Sequence, residues 1–208
     1  MPLLAAKDSL HNLIALFEAN IEIFEAETAI YNRFLQLQVL LQAMQQHMDD
    51  NKGIERAKVK ALIAKVAFET LTEKVVPYVR KIRSSSLLNK LDYTEEDFLE
   101  IEDDEFPERM SDYTAEIDVI LPKLRDLDLD QSDLDLVDLG VETFELVDLK
   151  LRDTPEKKKV ADANAVRYFE QALEILEHVD ALIELAFDPK QKALLEKYKN
   201  LRKAAVAS

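Results

Sequence analysis

Apolar residues recur at steps of three and four along most of the chain. Leu10, Ile14, Phe17, Ile21, Phe24, Thr28, Tyr31 and Leu35 fall on one helical face, and Phe34, Leu37, Leu41, Met44 and Met48 continue it as a second line. The shift between the lines is the drift of a straight 3.6-residue helix against a 3.5-residue repeat. The spacing predicts a long first helix over residues 7–50, apolar on much of its circumference between Phe34 and Leu41 and so covered from two sides. "DDNKG" ends it, with Gly53 suited to the left-handed residue after a helix. A second helix is expected over residues 54–83, with Val59, Leu62, Ile63, Val66 and Thr70 on one face. Pro77 lies inside it without an amide to give, so a kink is expected there, and "SSS" at 84–86 reads as a connector.

Prolines punctuate the remainder. Pro107 and Pro189 suit first-turn positions after Phe106 and Asp188, and Pro155 follows Thr154 as its cap. Pro122 is expected to bend or end the helix that Pro107 opens. Residues 155–187 form a strong helix with Phe169, Leu173, Leu176, Ile183 and Phe187 in line, and residues 189–205 a last one with Leu194, Leu195, Tyr198 and Leu201. With only two glycines in 208 residues, Gly53 and Gly140, the chain lacks the turn residues on which sheets lean. The expected fold is all-α: an elongated, mostly antiparallel bundle of about six helices, the first longest. It is read as one domain over residues 1–208, with a soft division near 84–91.

One stretch, "RDLDLDQSDLDLVDL", alternates aspartate with leucine and raises the question of a calcium loop. Such a loop needs acids at its positions 1, 3 and 5, glycine at 6 and a bidentate glutamate at 12. Counted from Asp126, the sixth residue is Gln131 and the twelfth Val137, so both demanding positions fail. "KLDYTEEDFL" aligns with "DLDLDQSDLD", which gives the alternation another meaning. Thr94 and Asp130 become helix N-caps, Asp97 and Asp133 their reciprocal partners three residues on, and Tyr93–Phe98 and Leu129–Leu134 hydrophobic staples. A helix then runs over residues 131–151, with Gly140 as a weak point costing about 1 kcal/mol relative to alanine.

Composition narrows the function classes. The chain is 48% hydrophobic, has material for a sizeable core, and has no cysteine, which excludes disulfides, thiolate metal sites and cysteine nucleophiles. The net charge of −15 is lopsided: residues 92–153 hold 23 acidic and 5 basic side chains, against 19 and 22 elsewhere. Direct nucleic-acid binding is therefore not expected. "MPLLAAKDSL" lacks the basic region of a secretory signal, and no window approaches a membrane span, so a cytoplasmic location without membrane binding is expected.

Reactive constellations are missing. His11, His47 and His178 are preceded three residues earlier by Asp8, Met44 and Ile175, so no Glu-x-x-His pair of a di-iron bundle exists. Glu174 and His178 read as an exposed side-chain pair. No phosphate loop, nucleophile elbow or zinc-protease pattern occurs, so no catalytic residue, metal or cofactor is expected. The candidate interaction cluster is basic: Arg152 with Lys157, Lys158 and Lys159, lysines set where they oppose the helix dipole.

"LLNKLDYTEEDFLEIEDDEF", residues 87–106, resembles a family of all-helical proteins of comparable length that is common in Bacteroidota. Its leucine pair, lysine, Tyr-Thr and acidic-hydrophobic run carry the likeness. Arg152–Asp153 followed by Lys158 and Lys159 is similar to the family's Pro-Arg-Asn and later Arg-Lys, with Leu151 in place of the proline. "YKNLR", residues 198–202, is similar to its Tyr-x-Asn-x-Arg. The resemblance spreads over most of the chain and implies an all-helical fold, with no activity attached.

These readings favour a non-enzymatic module for self-association or interaction with another protein. The alternative is an acidic binder of a basic partner, including a nucleic-acid mimic, through residues 92–153. A third class, an enzyme or small-ligand carrier, calls for a polar pocket holding His178, Arg152 or a tyrosine of shifted pKa.

Overall fold

A computed structural model describes residues 3–25, 28–48, 55–127, 129–147, 149, 151–186 and 191–207. Among them every regular element is helical. In chain order these are α1 (Leu3–Glu18), α2 (Ile21–Glu25), α3 (Thr28–Met48), α4 (Arg56–Val66), α5 (Glu73–Lys81), α6 (Ser85–Leu91), α7 (Glu95–Glu100), α8 (Phe106–Ile120), α9 (Gln131–Leu146), α10 (Pro155–Ala186) and α11 (Lys192–Ala207). The expected count of about six is exceeded because two predicted helices are divided and α6 forms where a connector was expected. Two compact units result, one from Met1–Gly53 with Leu149–Ser208 and one from Ile54–Asp148. Residues 84–91, where a soft division was expected, lie inside the second unit.

In the first unit, the expected first helix is broken at Ala19–Asn20, and the longest described helix is α10, with 32 residues. Asn20 turns its amide back to the Leu16 carbonyl at 2.8 Å, a local bond that competes with helix continuation. The apolar line nevertheless runs straight across the break. The Phe17 ring lies 4.4 Å from that of Phe24, 5.5 Å from Phe34 and 6.0 Å from Tyr198, joining α1, α2, α3 and α11. α3 is buried round most of its circumference because both α10 and α1 pack on it. Gly53, Phe187 and the Pro189 start lie outside the described residues.

In the second unit, the expected continuous helix over residues 54–83 is instead α4, a π-helical stretch Ala67–Thr72, and α5. Pro77 sits inside α5, and the departure from α geometry lies upstream of it. There the Thr70 and Thr72 hydroxyls donate to the carbonyls of Val66 and Ala67. "SSS" is no connector. α5 ends in a Schellman motif, with Arg83 N–H on the Arg80 carbonyl at 3.1 Å and Ser84 N–H on the Val79 carbonyl at 3.4 Å. Arg83 takes the left-handed position at φ 55°, and Ser84 at once caps α6, its hydroxyl accepting from Leu87 N–H. α8 gives way to a 3₁₀ turn at Leu121–Lys123, which holds Pro122. α9 stops at Leu146, short of the expected Leu151, which lies in a turn.

The capping boxes are explicit. Thr94 Oγ1 accepts from Asp97 N–H at 3.1 Å while Asp97 Oδ2 accepts from Thr94 N–H at 2.7 Å. The bonds that Thr94 donates to Asp97 Oδ2, from its backbone N–H first and then from its hydroxyl, hold the Asp97 carboxyl below its ordinary range. At α9, Asp130 Oδ1 accepts from Ser132 N–H at 2.8 Å and Asp133 Oδ2 from Asp130 N–H at 3.1 Å. Tyr93 stacks on Phe98 at 5.0 Å as the staple geometry requires.

Gly140 has a packing role that its helix propensity conceals. A Cβ there would stand 2.7 Å from Ile63 Cγ1, so the missing side chain lets α9 approach α4. Ile63 is buried, and a β-branched residue in a helix is held to one χ1 well. Gly140→Ala is therefore expected to destabilise by about 1–2 kcal/mol, the overpacking cost exceeding the propensity gain. Urea denaturation checks this, and a stabilised variant sinks it. In the Ile63→Ala background the same change should become neutral or favourable.

Candidate functional site

The start of α10 gathers most of the predicted interaction residues. Thr154 caps the helix, its Oγ1 accepting from Lys157 N–H at 3.3 Å. The exposed Lys157 ammonium lies 3.0 Å from the Asp153 carboxylate. Lys158 and Lys159 are exposed beside it.

Arg152 does not join them on the surface. Its side chain is only 16% exposed and turns inward, placing Nη2 2.8 Å from Asp162 Oδ1. Nη1 donates to the His47 carbonyl at 2.6 Å, serving the last turn of α3 where backbone acceptors lack intrahelical donors. The predicted basic cluster thus separates into three surface lysines and one internal fastener.

His47 is 6% exposed, its ring 5.5 Å from that of Tyr168, and its buried Nδ1 has no hydrogen-bond partner among the described residues. Burial first, then the positive charges of Arg167 and Arg152, push its pKa below the ordinary value. Both effects favour the neutral imidazole. Beside it opens a groove of about 520 Å³ with apolar walls from Leu149, Leu151, Val160 and Ala161, and with Glu156 and Lys157 as its charged members. Val160 is 62% exposed and Leu149 51%, large apolar surfaces of the kind that mark contact sites when they adjoin. Sequence reasoning passed over both His47 and Val160. The available signal was Val160 as an apolar residue off the Phe169–Leu176 line, in the middle of "KKKVAD".

The second unit carries an acidic groove of about 540 Å³ between α8 and α9. Asp104, Glu108, Asp138, Glu142 and Glu145 line it. Asp138 accepts from the Thr114 hydroxyl at 3.0 Å. Even so its pKa is raised, by desolvation first and then by Asp135 and Asp118. Like charges here press on one another.

Two tyrosines have strongly raised pKa values, and neither is an activated phenol. Tyr113 is buried with its hydroxyl 2.6 Å from that of Thr72, and desolvation raises it. Tyr198 lines a polar groove with Lys199 and Arg202. Its hydroxyl donates to Asp180 Oδ1 at 2.6 Å, while Arg202 Nε donates to Oδ2 at 3.0 Å. Desolvation and Asp180 keep the proton on Tyr198, so the trio fastens α11 to α10 rather than supplying a base. His178 is exposed. Among the described residues no group of His, Asp and Glu side chains is placed to hold a metal ion, and no helix is long and apolar enough to cross a membrane.

No family model, curated protein or solved structure matches the chain.

Proposed function

We propose that this chain is a non-enzymatic, mostly antiparallel helical-bundle module that works by association, with itself or with another protein. The observation that supports the reading is the apolar groove at the start of α10, where Val160 stands exposed on a helix whose other face is core. Burying such a side chain is favourable by about 1.5–3 kcal/mol. Tyr113 and Tyr198, whose pKa values are strongly raised, have structural occupations, which favours binding over catalysis. The likeness to the Bacteroidota family fits this reading and adds no activity.

A second reading has its own observation. Five carboxylates line the groove of α8 and α9, and Asp138 among them has its pKa raised, by desolvation first and then by Asp135 and Asp118 nearby, so a cationic partner would relieve the crowding of negative charge. One experiment separates the two: light scattering behind size exclusion, over a concentration series at low and high salt, with and without oligolysine. A discrete oligomer without additive supports self-association. A monomer throughout rejects it. A monomer that captures oligolysine at low salt alone supports the acidic binder.

A further inference from the structure

Resting on the associative reading, we infer that the occupant of the α10 groove is a second copy of this chain, docked about a twofold axis. The argument is charge. The acidic excess lies in residues 92–153 and repels the same segment of another copy, so pairing favours a face free of that excess. At the surface around the start of α10 there are three cationic side chains (Lys157, Lys158, Lys159) against two anionic ones (Asp153, Glu156), while Arg152 and Asp162 pair with one another. Two copies can meet there without net acid–acid repulsion, which the acidic α8–α9 groove does not permit.

The groove's own members are self-complementary. Glu156 and Lys157 are adjacent on the same wall, with the apolar Val160 one turn further on. A twofold contact makes residue i of one copy meet j of the other and j meet i. Glu156 of each copy then faces Lys157 of its partner, twice, around the two Val160 side chains. Lys157 gives up only its exposed pair with Asp153, and such surface pairs contribute about 0–1 kcal/mol. A groove-sized contact falls below the roughly 1,200 Å² of standard stable interfaces, so the dimer is weak and concentration-dependent.

Charge exchange tests this without disturbing the core, since both positions are exposed. Glu156→Lys and Lys157→Glu should each weaken the homodimer at least tenfold in sedimentation equilibrium, with unchanged circular dichroism. An equimolar mixture of the two sets a wholly basic wall against a wholly acidic one and should recover a dimer at least as tight as the parent. Val160→Ser should weaken all combinations. If the parent dimerises but the variants do so equally well, the twofold groove contact is wrong while association by another face stands. If the parent is monomeric at every concentration, self-association and the inference fail together.

Discussion

Phe17→Ala is expected to lower stability by about 3–5 kcal/mol, the usual cost of deleting a buried aromatic ring. The side chain is fully buried, and three rings from three different helices stand within 6.0 Å of it. Collapse into the vacated space is limited because Phe24, Phe34 and Tyr198 are each held from their own side. Tyr198 is anchored by Asp180, and Phe34 lies in a helix enclosed by α1 and α10. Each aromatic pair lost adds roughly 0.5–1.5 kcal/mol to simple area burial. Domains are stable by about 5–15 kcal/mol, so the variant should unfold at a much lower denaturant midpoint. Phe17→Leu should recover more than half of the loss. An alanine variant within 1 kcal/mol of the parent would mean that the four rings are not a packing centre.

What the sequence shows of this fold is local. Caps are legible because both partners of a capping box lie three residues apart: Thr94 with Asp97, Asp130 with Asp133. The same logic disposed of a calcium loop. The helix breaks are not legible. Phe17, Ile21 and Phe24 keep their spacing across Ala19–Asn20, because packing demands an apolar face on both sides of the turn. The end of α5 is hidden because arginine, not glycine, takes its left-handed position. Pairing between distant elements lies further out of reach. α3 and α10 pack along one another across more than one hundred residues, and periodicity marks an apolar face without saying what covers it. Gly140 shows the same limit, since propensity marks it as a weakness while Ile63, far away in the chain, makes it a fit.

The candidate site divides along the same line. Residue type identified Arg152 and the lysines as one basic group, but charge does not say which way a side chain turns. Lysines 157–159 stay at the surface because their helix begins there. Arg152 turns in because the end of α3 offers it a carbonyl and α10 an acid. His47 could not be recognised as a site member from its neighbours in sequence, since burial and two distant arginines make it what it is.

Arg152→Met should cost about 2–3 kcal/mol at neutral pH, the range for hydrogen bonds to charged groups when one partner remains enclosed. Methionine keeps much of the volume, so the loss reports the bonds to the His47 carbonyl and Asp162. The pH dependence is distinctive. His47 has a folded pKa below its unfolded value, so it contributes stability that is present at neutral pH and lost as pH falls below about 6.5. Arg152 is one cause of that depression, after burial and Arg167. Without it the His47 pKa should rise, the titration window should narrow, and the variant should lose less stability on acidification than the parent. The two unfolding curves thus approach one another between neutral and mildly acidic pH. Arg152→Lys separates the two roles. It retains a positive charge near His47 and so a lowered pKa, but a lysine cannot present the planar fork that spans the carbonyl and the carboxylate. A stability gap between Arg152→Met and the parent that stays constant with pH, alongside an unmoved His47 resonance in NMR titration, would show that Arg152 does not act on the imidazole.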